Sequence, residues 1–116
     1  MSTLQKKSIN SPDELGTPPR ARVESVHFGD MCVVRMTCEP GWKWSEHIMP
    51  IAGTPSCQTT HFAYVVSGQF HTVMDDGAAT DFGPGDVGII PPGHNAWVVG
   101  DEPCVLLDFQ DASRNV

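Results

Sequence analysis

Three of the five histidines, His47, His61 and His94, are the residues of this chain best suited to bind a metal. Imidazole binds zinc, iron, nickel or copper through one ring nitrogen, and three such ligands leave coordination positions open for water or a substrate. If their strands are neighbours, these side chains converge on one divalent transition metal. We interpret the other two, His27 and His71, as hydrogen-bonded structural residues.

Three further side chains near these histidines have candidate roles. Cys57 lies in a polar loop close to His61 and is a candidate thiolate ligand. On a regular strand Met49 shares a face with His47, and its thioether suits a soft metal. Glu46 would then point to the opposite face, as a catalytic acid or base or as a group that orients a ligand. Three tryptophans either line a pocket or pack in a core or dimer interface: Trp42, Trp44 and Trp97.

The elements that position these residues are short β-strands. Eleven glycines and ten prolines among 116 residues favour strands joined by tight turns over helices. Gly29 and Asp30 separate two apolar runs, which is a hairpin signal. The pattern predicts strands over residues 22–28, 31–38, 43–49, 61–67, 70–74, 80–82, 87–90, 96–99 and 104–109.

Chain length predicts one compact domain, and the composition of the first 19 residues predicts an N-terminal arm. Residues 1–19 contain several prolines and no hydrophobic period, so we expect an arm or edge segment there. Residues 20–116 carry the predicted strands and are long enough for one hydrophobic core.

Charge and composition exclude several classes of function. The net charge is −7, with seven Lys and Arg, and phosphate binding needs a basic surface, so we expect no nucleic acid partner. The sequence contains no run of about 18 apolar residues, so we expect no membrane span and no membrane partner. Lys6 and Lys7 are not followed by an apolar segment, so no secretory signal is predicted and we expect a cytoplasmic protein. The four cysteines form no CxxC pair, which argues against a zinc knuckle or a disulfide framework.

Glycines and prolines around the histidines resemble the two sequence motifs of the cupin superfamily. In the first motif Gly41, His47 and Gly68 fit, with His61 at the position of the family's glutamate and Met49 at that of its second histidine. Residues 50–60 are additional to the usual spacing.

The second motif matches at its glycine and proline positions. Gly85, Pro91 and Gly93 fit, while the family's histidine position falls on Ala96. His94 lies two residues earlier, and a shift of two along a strand keeps a side chain on the same face.

The resemblance implies an all-β fold, a single-domain cupin with an antiparallel jelly-roll barrel around a pocket. It implies metal ligands at His47, His61 and, with the shift of two residues, His94, while Cys57 is a fourth candidate because of its place in the loop. It also implies a homodimer built through edge strands. We expect a metal-dependent enzyme of the oxygenase, isomerase or lyase class that acts on a small organic molecule. The alternative is a binding or sensor module in which no bond is broken.

Overall fold

The computed structural model describes residues 3–111, and these form nine strands and two short helices. Eight of the nine predicted strands match an observed strand with both ends within two residues. In chain order the elements are β1 (Glu14–Gly16), β2 (Ala21–Phe28), β3 (Met31–Cys38), α1 (Trp44–His47), α2 (Met49–Ala52), β4 (His61–Ser67), β5 (Phe70–Met74), β6 (Ala79–Phe82), β7 (Val87–Ile90), β8 (His94–Val98) and β9 (Cys104–Asp111).

The strands form two antiparallel sheets. The larger sheet has the order β1-β2-β3-β9-β4-β7, and the smaller has the order β6-β5-β8. Strands distant in sequence lie side by side, as β9 does between β3 and β4, which is the crossed connectivity of a jelly roll. This confirms the predicted all-β, antiparallel jelly-roll fold.

Strand β4 shows how the sequence determines which face of the larger sheet is buried. Ala63 and Val65 are 1% and 0% exposed, whereas their neighbours Phe62, Tyr64 and Val66 are exposed. This alternation follows from the two-residue period of a strand. The inward residues pack against the smaller sheet, where the rings of Phe70 and Phe82 stack with centroids 4.7 Å apart.

The turn between β4 and β5 requires glycine. Gly68 has a φ of +76°, and a Cβ placed there would lie 2.2 Å from the carbonyl oxygen of Pro103. Any other residue would force this turn away from the segment that leads into β9.

The predicted strand over residues 43–49 is wrong beyond its first residue. Lys43 is extended and bridges to Trp97, but the chain then turns into α1 and α2. Pro50 lacks a backbone N–H and suits the first turn of α2, which ends at Gly53 in the left-handed conformation. Trp42 and Trp44 are both buried and lie two residues apart, as inward residues of a strand do. Only Lys43 between them is extended, however, and α1 begins at Trp44.

Within the predicted arm, β1 pairs with β2 at the edge of the larger sheet. The division into an arm of residues 1–19 and a barrel domain of residues 20–116 stays a prediction. Neither helix has the length and apolar character needed to cross a membrane.

A cavity of about 330 Å³ lies against the inward face of the larger sheet. Its wall is mostly apolar and includes residues from both sheets, from the helices and from the segment before β4. Both sheets and the two helices thus contribute to the wall of one cavity.

Candidate metal centre

Three potential metal ligands meet in the wall of the cavity. The ligand atoms of Cys57, His61 and His94 all lie within 4.8 Å of one another. Cys57 Sγ is 3.8 Å from Nε2 of His61, and the two imidazole rings have centroids 5.1 Å apart. These distances bring one thiol and two imidazoles to one point, which is a donor set that suits a transition metal.

Backbone pairing holds Cys57 beside His94. The N–H of Cys57 donates to the carbonyl of His94 at 2.8 Å, and the N–H of Gly93 donates to the carbonyl of Cys57 at 2.7 Å. Residues 50–60 therefore return to the start of β8 and present the cysteine there, whereas His61 is the first residue of β4.

A buried carboxylate fixes the orientation of His61. Oδ2 of Asp108, on the inward face of β9, lies 2.6 Å from Nδ1 of His61 and accepts its N–H. The other oxygen accepts the backbone N–H of Phe62 at 3.0 Å, and Gln110 donates to Oδ2 at 2.9 Å. The Nε2 atom of His61 is therefore the one that faces Cys57, as in carboxylate–histidine–metal arrangements.

His94 is oriented in a comparable way by a backbone carbonyl. Its Nδ1 lies 2.6 Å from the carbonyl oxygen of Pro91, an acceptor, so Nδ1 carries the proton. Nε2 is then left with its lone pair for the site. His94 is 3% exposed, which protects this arrangement from water.

The three candidate ligands also interact with one another. Burial opposes ionisation of Cys57, but the hydrogen bond from His61, the adjacent His94 ring and a backbone hydrogen bond with Thr59 outweigh it and lower the pKa of the thiol to about 5. Burial likewise opposes the charge on His61, while hydrogen bonds to Asp108 and Cys57 raise its pKa to about 9. The metal-free site is thus a thiolate–imidazolium pair at neutral pH.

The other cysteines differ from Cys57. All four are free thiols, and burial raises the pKa of Cys38 to about 12 and that of Cys104 to about 11. Burial also raises the pKa of Cys32. Only Cys57 therefore has the thiolate character that metal binding needs.

The structure does not bring His47 into this group. His47 ends α1, and its Nδ1 lies 3.0 Å from the backbone nitrogen of Lys43. Glu46 is exposed on the same helix, and Met49 packs against the core at the start of α2. None of these three lines the cavity, because the strand that would have directed them there is helical.

Asp108 is the residue of the site that the sequence analysis missed. It lies two residues after Leu106 and four after Cys104 on β9, so all three side chains point to the same, inward face. A single carboxylate at an inward position of an otherwise apolar strand could have indicated this role from the sequence. His27 and His71 lie outside the group and contact Glu14 and Asp81, respectively.

The cupin domain profile matches residues 34–110, about two thirds of the chain. The chain belongs to the cupin family. The match runs from within β3 through most of β9 and includes all three candidate ligands, and it confirms the family predicted from the motifs. No curated protein matches this cupin.

Solved structures similar to this cupin share its fold at low sequence identity. The polyketide cyclase RemF from Streptomyces resistomycificus is 16% identical, with a TM-score of 0.66, and the match covers 98% of this chain and 83% of RemF. KdgF from Halomonas sp. is 21% identical, with a TM-score of 0.65 and coverage of 97% and 96%.

A longer enzyme also contains this fold. The oxalate decarboxylase of Lactobacillus farciminis, solved as a formate complex, is 15% identical with a TM-score of 0.67. The match covers 99% of this cupin and 36% of the decarboxylase, so this chain spans about a third of that protein. At these identities the comparison concerns the fold alone.

Proposed function

We propose that this cupin binds one divalent transition metal through Cys57, His61 and His94 and is an enzyme that acts on a small organic molecule in the adjoining cavity. The observation that carries the proposal is the meeting of three ligand atoms within 4.8 Å at the wall of an apolar cavity. Three protein ligands leave a position open, as in catalytic rather than structural sites. A bound metal would supply a Lewis-acidic centre, or a redox centre if it is iron or copper.

The donor set limits which metal fits. A thiolate and two neutral imidazoles favour zinc, iron, nickel or copper, whereas magnesium and calcium require oxygen ligands. Acceptors already fix Nδ1 of both histidines, so the protein presents Nε2 atoms without rearranging the rings.

The cavity favours a molecule with an apolar body. Apart from the three ligands, its wall holds no charged side chain among the described residues, and Thr59 supplies its one hydroxyl group. A compact dianion would lose its hydration there without gaining a counter-ion beyond the metal. A carbonyl, a phenol or a monocarboxylate on an apolar body fits better, with its oxygen on the metal.

The reaction must rely mainly on the metal. Glu46 does not line the cavity, so we do not retain it as the acid or base. Within the described chain the other titratable group in the wall is Cys38, whose thiol is held protonated by burial. The scarcity of acids and bases also favours a second candidate function, a sensor that binds its ligand through the metal without converting it.

Ligand titrations of the cobalt-loaded protein test this proposal. We expect benzoate to change the cobalt absorption spectrum at a concentration at least about 10-fold lower than oxalate does. Ala96 lines the cavity, so the matched Ala96→Leu variant should keep its cobalt and lose most of the benzoate response. Tighter binding of oxalate than of benzoate would contradict the proposed ligand class.

A turnover assay distinguishes the proposed enzyme from the alternative, a sensor. Pooled small aromatic carbonyl and phenol compounds are incubated with metal-loaded protein and followed by mass spectrometry. Consumption by the wild type but not by Cys57→Ser supports an enzyme. Saturable binding of a compound without its consumption supports the sensor.

A further inference from the structure

The segment that carries Cys57 is a loop in which two residues are buried. Residues 53–60 connect α2 to β4 and belong to no helix or strand. Among these described residues, Cys57 alone forms a bridge to a strand, at His94. Most of the loop is exposed or half-buried, yet Cys57 is 8% exposed and Ser56 is 3% exposed. A loop with so little backbone pairing needs side-chain contacts to hold a ligand atom in place.

The buried hydroxyl group of Ser56 contacts Asp75, the residue that follows β5. Oγ of Ser56 donates to Oδ2 of Asp75 at 2.9 Å, and the same Oγ accepts a hydrogen bond from Nε2 of Gln58 at 3.0 Å. A buried hydroxyl group that loses its acceptor costs free energy. The contact with Asp75 therefore restricts where the loop can lie.

Asp75 is also bound to the segment that carries His94. Its backbone N–H donates to the carbonyl of Gly93 at 2.8 Å, and the N–H of Gly93 donates to the carbonyl of Cys57 at 2.7 Å. Gly93 has a φ of +92°, and a Cβ there would lie 3.0 Å from Oδ2 of Asp75. The absence of a side chain at Gly93 thus leaves room for the carboxylate. The segments around Ser56, Asp75 and Gly93 form a closed ring of contacts beside two of the candidate ligands.

We propose that Asp75 is a positioning residue: by accepting the hydrogen bond of Ser56, it holds the neighbouring thiol of Cys57 at the metal centre. This inference rests on the proposed function, which makes Cys57 a ligand. Asp75 does not line the cavity, so it acts through Ser56. A hydrogen bond to a charged acceptor corresponds to a change of about 10- to 100-fold in an equilibrium constant, here that for opening of the loop.

Hydrogen exchange of the metal-free protein tests this positioning role without a metal. The N–H of Cys57 donates to the carbonyl of His94 at 2.8 Å, so its exchange rate reports how often the loop leaves the start of β8. We expect Asp75→Ala and Ser56→Ala each to speed this exchange by at least about 10-fold, because either change removes the hydrogen bond. Asp75→Asn keeps an oxygen acceptor and should restore most of the protection.

The matched control is Asp76→Ala. Asp76 lies in the same turn, but its carboxylate accepts the backbone N–H of Ala78, so exchange at Cys57 should equal that of the wild type. The double variant Asp75→Ala/Ser56→Ala should exchange no faster than either single variant, because both changes remove one shared contact. In the cobalt-loaded protein, a chelator should remove the metal from Asp75→Ala at least about 10-fold faster than from the wild type or Asp76→Ala.

The two readouts separate this inference from the proposed function. A wild type that holds cobalt, together with an Asp75→Ala variant that exchanges and releases cobalt at wild-type rates, would overturn the positioning role alone. Additive effects of Asp75→Ala and Ser56→Ala on the exchange of Cys57 would also overturn it. A wild type that holds no cobalt but shows the expected exchange rates would contradict the metal centre alone, because Asp75 would still place Cys57.

Discussion

The carboxylate of Asp108 lies 2.6 Å from Nδ1 of His61 and turns the opposite nitrogen of that ring toward Cys57. Asp108 is 1% exposed, and its two oxygens accept hydrogen bonds from three groups. A carboxylate buried this completely needs such partners, and His61 supplies the charged one. The contact links the core of β9 to the site in the cavity wall.

Replacing Asp108 should weaken metal binding without removing a ligand. We expect Asp108→Asn to lower metal affinity by about 10- to 100-fold, since a neutral amide orients His61 less well and leaves it less basic. Competition with a chelator of known affinity measures this change. The matched control is Asp81→Asn, because Asp81 makes a similar contact with His71 on the surface, at 2.7 Å. Equal affinity of Asp108→Asn and the wild type would show that the contact does not tune the site.

In the metal-free protein Cys57 should be the thiol that reacts fastest with alkylating agents. Its pKa of about 5 makes it a thiolate at pH 7, whereas burial keeps Cys38 and Cys104 protonated. The rate of iodoacetamide modification should rise as pH increases through about 5 and then level off. Peptide mapping by mass spectrometry assigns the modified residue. A rate that rises only above pH 8 would contradict the lowered pKa.

Apparent metal affinity should increase with pH up to about 9. His61 is protonated below its raised pKa of about 9, so a metal must displace that proton before Nε2 can bind it. Cys57 is already a thiolate above about pH 5 and adds little to this dependence. Affinity that is constant between pH 6 and pH 8 would show that His61 is neutral in the metal-free protein.

Gly68 should tolerate substitution far less well than Gly77. A Cβ at Gly68 would lie 2.2 Å from a backbone oxygen, whereas at Gly77 it would meet no atom within 4 Å. Both glycines have positive φ, so alanine at Gly77 costs about 1–2 kcal/mol for backbone strain alone. We expect Gly68→Ala to cost more than about 3 kcal/mol because the steric overlap adds to this strain. Urea unfolding of the two variants measures the difference, and equal losses would contradict the tight approach of Gly68 to β9.

The fold could be predicted from the sequence because its signals are local. Alternation of apolar residues and glycine-containing turns gave most strand positions, and the spacing of Gly85, Pro91 and Gly93 gave the family. The strand predicted over residues 43–49 is wrong, because two tryptophans two residues apart have the spacing of inward residues on a strand. Whether that segment stays extended depends on tertiary contacts, such as the bond from the N–H of Ser45 to Asn95.

The site could be predicted only in part, since ligands come together through long-range pairing. Cys57 lies in the segment that was additional to the motif, and only its backbone bridge to His94 shows where that segment returns. His47 fits the motif by spacing, but the helix α1 removes it from the cavity wall. Sequence spacing reports the order of residues along the chain, whereas a ligand set depends on strand register between distant segments.

Cobalt loading of the protein purified without an affinity tag tests the metal centre most directly. We expect about one Co²⁺ per chain and a thiolate-to-cobalt charge-transfer band in the near ultraviolet. The band should disappear in Cys57→Ser, stoichiometric binding should be lost in His94→Ala, and His47→Ala should behave as the wild type. A charge-transfer band that survives in Cys57→Ser, or loss of cobalt in His47→Ala with retention in His94→Ala, would contradict the centre formed by Cys57, His61 and His94.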